Sequence, residues 1–329
     1  MKNSIIIITL LNVTIFGQSN HNSELFNIFE YRNFSPHRVG SWISDIAVPE
    51  TNNSDHKYTF YISGRHGGVW KTINNGSSFE QIFDGYGTSS IGAIEVANSN
   101  PNTIWVGTGE ASNARSTHAG NGIYKSIDSG KTFKFMGLAD SHHIPKIIIH
   151  PKNENIIYVA VMGHLFSKNK MRGVFKSIDG GDSWKKVLYI NQQTGVIDLV
   201  INRDNPNILY AATYDKIRYP WHLEAGGSNS GIYKSVDGGD NWDRLSGGLP
   251  YGNIGRIGLD IYRKNPNILY AVVENLNPKK DDAENLKYGE VYFTKNAGKS
   301  WNKTNHDTVD VSGKAAYSFN QIMIDPNNY

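Results

Sequence analysis

One short turn, written five times, decides what this chain can fold into. Its clearest copy is Ser235-Val236-Asp237-Gly238-Gly239-Asp240-Asn241-Trp242, and the other four end at Phe79, Phe133, Trp184 and Trp301. Each copy runs from a hydroxyl residue through Asp or Asn and a Gly to an aromatic. The Asp or Asn (Asn74, Asp128, Asp179, Asp237, Asn296) accepts backbone N–H bonds from the residues after it, and the Gly takes a positive φ. The aromatic opens the next strand and buries a large apolar area. Hairpin chemistry accounts for these five side chains in full, so they are read as structural. Before each turn stands a strand of one type, such as Val69-Trp70-Lys71 or Ile232-Tyr233-Lys234. The turn glycines Gly76, Gly130, Gly181, Gly239 and Gly298 fall 54, 51, 58 and 59 residues apart. A period just above fifty, built from short strands, predicts a propeller or a related array whose units must stack on one another.

A second column precedes each turn. Ile91 to Val96 leads into Asn100-Pro101-Asn102, and Val196 to Ile201 and Ile254 to Leu259 lead into Asn205-Pro206-Asn207 and Asn265-Pro266-Asn267. These Asn-Pro pieces read as turns between a first and a second strand. A sixth such turn begins near Asp325-Pro326. At the other end, Phe29 to Pro36 reads like the strand that follows each repeated turn. The expectation is an all-β fold, a β-propeller of four-stranded antiparallel blades over residues 19–329. It comprises about five blades, an N-terminal closing strand and the start of a sixth, so that the ring is incomplete in this chain and the chain reads as an N-terminal fragment.

Residues 1–18 are expected to be a signal peptide. Lys2 precedes the apolar run Ile5 to Leu11, which is too short to span a membrane and stands where a leader belongs. No other stretch reads as a transmembrane segment. Export is therefore expected, to the periplasm, the outer cell surface or the medium of a bacterium. The chain has no cysteine, which excludes a disulfide framework and fits a bacterial envelope or extracellular protein. A formal charge of +3 over 329 residues, with Lys and Arg scattered among acids, offers no stripe for nucleic acid. No cofactor is expected.

Antiparallel blades sort their loops onto two faces. The Asn-Pro and Asp-type turns share one face and are short and monotonous. The other face carries long, unlike loops, where binding on a rigid scaffold usually lives. It is expected to present Arg65, His66, Glu110, Arg115, His142, His143, Arg172, Arg218 and Trp221 as ligand-binding candidates. Guanidinium forks suit acidic or amide-bearing partners, and flat rings suit sugars or side chains. His142 and His143, with His118, His164 and His222, raise a metal site. Adjacent histidines in a strand point to opposite sides, and no ligand spacing supports one, so no metal is expected. The Asp-type turns lack the carboxylate ring of a calcium loop. A further column, Asp45, Ala93, Lys146, Asp198, Arg256 and Gln321, is expected at one height around a central channel as paired, solvated charges.

The stretches Ser63 to Thr72, Trp105 to Glu110, Asp140 to Ile144 and Thr194 to Leu199 resemble large exported bacterial proteins with a sortilin-type N-terminal propeller. Such proteins carry the bacterial neuraminidase repeats, or Asp-boxes. The resemblance covers nearly all of residues 23–329. It implies a non-enzymatic propeller that binds a protein, peptide or glycan through its variable-loop face. Sortilins carry a cysteine-rich module after the propeller, and this chain has no cysteine. The rival implied by the same repeats is a glycoside hydrolase of the xyloglucanase or sialidase kind; such enzymes generally need two carboxylates across a cleft, and the sialidase kind an arginine cluster with a tyrosine nucleophile. The Asp expected before the first Gly-Gly pair is replaced here by Arg65-His66, and no sialidase arginine signature is evident. Asp45 and Asp198 are a candidate carboxylate pair by their place in the channel column, and the chain beyond this fragment is expected to offer others.

Overall fold

The structure, a computed structural model, describes residues 42–51, 54–112, 117–278, 289–306, 309–312 and 315–329. The expected leader at 1–18 and the expected closing strand at 29–36 lie outside the described residues, as does Arg115. Five antiparallel sheets follow one another along the chain. The first holds β1 (Ile43–Ala47), β2 (Phe60–Gly64), β3 (Gly68–Thr72) and β4 (Glu80–Gln81). The second holds β5 (Ile91–Ala97), β6 (Asn100–Thr108), β7 (Ile123–Ser126) and β8 (Lys134–Phe135). The third runs β9 (Lys146–Ile149), β10 (Ile157–Val161), β11 (Gly173–Ser177) and β12 (Lys185–Leu188). In the fourth, β13 (Thr194–Ile201), β14 (Leu209–Arg218), β16 (Gly231–Ser235) and β17 (Asp243–Arg244) form the sheet, and β15 (Leu223–Ala225) pairs with the far end of β14. The fifth holds β18 (Ile254–Ile261), β19 (Leu269–Asn275), β20 (Gly289–Thr294) and β21 (Asn302–Lys303). Within each blade the strands pair in sequence order, which is the propeller expected from the period.

Burial follows from stacking. A second strand covered on both faces by neighbouring blades has no polar side, and β10, Ile157 to Val161, is buried at every position. The outermost strands β4, β8, β17 and β21 are two residues long and mostly exposed. Edges this short resist pairing with other chains.

The Asp-type turns form as the sequence predicts. Asp179 Oδ1 accepts the Ser183 backbone N–H at 3.0 Å and the Ser177 hydroxyl at 2.7 Å, and Ser177 Oγ in turn accepts the Gly181 N–H at 2.8 Å. Asn74 and Asn296 reproduce the bond to the fourth residue on, each at 2.9 Å. The turns also join blades. The lysines Lys71, Lys125 and Lys234 of the third strands pass over Tyr61, Trp105 and Tyr210 of the second strands. Each then donates to a turn carbonyl of the following blade: Ser129 at 2.9 Å, Gly180 at 3.2 Å and Ala297 at 2.7 Å. Lys176 instead reaches the carboxylate of Asp240 in the next turn at 3.1 Å. Gly181 shows how close the blades come, since a Cβ there would lie 2.3 Å from the Trp105 ring.

Near the axis, carboxylates staple first strands together. Asp45 accepts the N–H of Ile94 in the next blade at 3.2 Å, and Asp198 accepts that of Leu259 at 2.9 Å. Asp260 accepts that of Ile324 at 2.7 Å. A short helix, α1 (Ala316–Phe319), packs beside β18, where Arg256 donates to the carbonyls of Tyr317 and Ser318 at 3.1 Å.

Candidate functional site

Alternation of strand direction puts the ends of β2, β6, β10, β14 and β19 on the variable-loop face, and the structure divides its expected ligand residues into two groups. Arg65, Glu110, His143 and Arg172 are buried. Arg65 Nε donates to Glu110 Oε2, and its guanidinium lies 4.5 Å from the centre of the Trp42 ring. Glu110 also accepts the Thr117 hydroxyl at 2.6 Å. His143 faces the Glu110 carbonyl through Nδ1 at 3.1 Å, and burial pushes its imidazole down to about 3, so it is neutral. Arg172 spends its fork on backbone, donating to the carbonyls of Gln193 and Lys216, and of His164 and Ser167. Burial lowers it to about 10. These four are buried and engaged with the protein's own groups, supporting the loops from below. The sequence does not say which way each side chain turns.

His66, His142, Arg218 and Trp221 remain accessible. His66 packs its ring edge-on to His118 at 4.6 Å. Arg218 ends β14, and its N–H bonds the Leu165 carbonyl at 2.8 Å, tying the third and fourth blades together at this rim. Beyond it, β14 and β15 continue as a hairpin whose tip is Tyr219-Pro220-Trp221-His222. The Tyr219 N–H donates to the His222 carbonyl at 2.7 Å. The turn presents Tyr219 and Trp221 as a stacked pair, 5.8 Å between centres and 16° between planes. Trp221 is 82% exposed, and His222 is exposed beside it. An indole left that open, in a chain that buries Trp105 and Trp301, is a platform for a flat apolar partner. The hairpin was not foreseen as an element. Its alternating Lys216 to Ala225 was legible, but it reads as loop because its strand belongs to no repeated column.

His142 and His143 do diverge as the sequence analysis expects, though for another reason. They follow a 3-10 turn over Ala139–Ser141, and His142 has a φ of 55°. This sends one ring into the interior and the other outwards. There His142 stacks on His164 at 3.6 Å, beside Asp140.

The first strands hold charge. Lys146 is held above its ordinary value, most strongly by Asp45, then by Asp198, Glu95 and Asp260. Asp198 is raised by burial despite the lysine. Glu95, half-buried on β5, is pushed up to about 7 by burial. Arg256 departs from the expected channel column, because it is turned under α1. Gln321 follows that helix in an exposed extended segment rather than in a strand.

No family model matches the chain, and a search of curated proteins found no match. Solved structures are. An ancestral GH74 enzyme superposes with a TM-score of 0.59 at 24% identity, over 80% of this chain and 31% of that one. The GH74 enzyme of Niastella koreensis gives 0.57 at 18% identity, over 79% and 38%. YCF48 bound to D1 peptide gives 0.50 at 15%, over 85% and 72%. The chain thus spans about a third of the length of the two GH74 enzymes. The likeness is one of fold: this is a β-propeller of four-stranded blades.

Proposed function

We propose that this protein is an exported binding propeller, and that its variable-loop face holds a glycan, peptide or protein. The single observation that carries the reading is the Tyr219–Trp221 pair, stacked and open at the tip of a hairpin anchored by β14. Aromatic faces of this kind pack against sugar rings and apolar side chains alike, and a glycan is the ligand the flat pair suits best. The opposite face is engaged in hairpin and inter-blade bonds, so it is scaffold. The Asp-type turns are read as Asp-boxes in this sense. Export rests on the apolar run behind Lys2 alone.

Propeller scaffolds serve catalysis and binding equally, so the choice rests on residues. Asp45 and Asp198, the candidate carboxylate pair of a glycoside hydrolase, each accept two backbone N–H bonds. Asp45 takes those of Ile46 and Ile94, and Asp198 those of Leu199 and Leu259. Carboxylates so engaged hold strands rather than attack or protonate a glycosidic bond, which favours the binder. The test is a panel of polysaccharides and peptide arrays, with retention and turnover measured separately. Retention without turnover, weakened at least tenfold by Trp221→Ala, is expected. Sustained hydrolysis of a retained polysaccharide would overturn the reading.

A further inference from the structure

The loop before β9 and the loop between β10 and β11 meet at three donor side chains. His164 Nε2 lies 2.7 Å from Asp140 Oδ1, and His142 Nε2 lies 3.8 Å from the same oxygen. The three donor atoms all lie within 4.8 Å of one another. We propose that Asp140, His142 and His164 form a site for a zinc-class divalent cation on the variable-loop face. It stands whether or not that face holds a glycan.

Size comes first. Tetrahedral zinc takes nitrogen and oxygen donors at about 2.0–2.1 Å, which separates neighbouring donors by about 3.3 Å. The two spacings to Asp140 bracket that value. Two imidazoles and one carboxylate suit zinc, copper or nickel rather than calcium or magnesium, which prefer all-oxygen sets. Three protein donors leave coordination open to solvent or to a ligand.

The second argument is pre-organisation. His142 is a non-glycine residue at φ 55° and ψ −43°, a conformation that persists only where surroundings impose it. The surroundings are visible. The His142 carbonyl accepts the Gly120 N–H at 2.6 Å, and the His143 carbonyl accepts the Met162 N–H at 3.0 Å, which joins the two loops. His164 is held by Arg172 on its carbonyl and by Asn169 on its N–H at 3.2 Å. Its Nδ1 meets the Ser167 hydroxyl at 3.1 Å, the outer-sphere support that metal-bound imidazoles carry. The rings are stacked at 3.6 Å, so they must swing apart for both ring nitrogens to aim at one ion.

The test is calorimetric titration of zinc chloride into the tag-free, chelator-stripped full chain. One zinc per chain is expected. His164→Ala and His142→Gly should each weaken it at least about 100-fold, since outer-sphere losses alone cost about 10–100-fold. Glycine at 142 suits the left-handed backbone, so this variant keeps the fold while removing the ligand. Ser167→Ala should weaken binding about tenfold. His118→Ala should leave the titration unchanged, because that ring belongs to the His66 pair. The proposal is overturned by absence of stoichiometric uptake, which would make Asp140–His164 an ordinary ion pair. Uptake that survives His142→Gly and His164→Ala, or that His118→Ala removes, overturns it equally.

Discussion

Replacing Lys146 by Met should destabilise the propeller in a way that depends on pH. The lysine lies on β9 under the combined influence of Asp45, Asp198, Glu95 and Asp260, contributed by four other blades' first strands. Losing one partner of a fully buried pair costs about 3–5 kcal/mol. Lys146 is half-buried, so about 2–3 kcal/mol is expected once solvent screening is allowed for. The penalty comes from carboxylates left facing one another, and it exists only while they are ionised. Glu95 is raised to about 7 by burial in the native protein. Its contribution to stability is therefore full below its unfolded value of about 4.3 and lost as pH rises through 7. Without the lysine it rises further. The deficit of Lys146→Met should be largest at pH 8 and shrink towards pH 5, and adding Glu95→Gln should recover part of it. Urea melts of the single and double variants at pH 5, 7 and 8 measure this. Equal losses at pH 5 and 8 would show that lost packing, not charge, is responsible, and would refute the reasoning.

Four further outcomes follow from the same geometry. Asp179→Ala should lower the melting temperature while Asp179→Asn largely keeps it, because Asn74 and Asn296 already make the same turn; differential scanning fluorimetry separates them. Bonds from Thr132 hold the related Asp128 down to about 2, so its stabilisation is present above its unfolded value near 3.9 and lost only as pH falls through 2. Arg65→Met should cost about 3 kcal/mol or more by stranding the buried Glu110, and combining it with Glu110→Gln should cost less than the sum, read from a double-mutant cycle. Lys234→Met should cost about 1 kcal/mol in a urea melt through loss of the bond to the Ala297 carbonyl.

Much of the fold was legible because its determinants are local. An Asp or Asn and a Gly at fixed offsets dictate a turn wherever they fall, and five copies dictate a stack. The lysine column was equally visible at Lys71, Lys125, Lys176 and Lys234. Its purpose was not, because the partner carbonyl lies one blade away. The fifth blade has Phe293 there, packed against Tyr270 at 4.6 Å. The site was legible only as a face. Whether Arg172 meets a ligand or the backbone of its own loops depends on how residues 163–169 fold, and no repeat encodes that. His142 was misread as a strand residue, since nothing in the sequence announces a left-handed backbone at a histidine.

The central claim is that one face binds and the other only holds blades together. Hydrogen–deuterium exchange of the full chain, with and without the ligand retained on the arrays, tests it most directly. Protection confined to residues 163–169 and 219–225, with the turns at 74–78, 128–132, 179–183 and 237–241 unchanged, is the predicted result. Protection concentrated in those turns, with the hairpin carrying Trp221 unaffected, would contradict it.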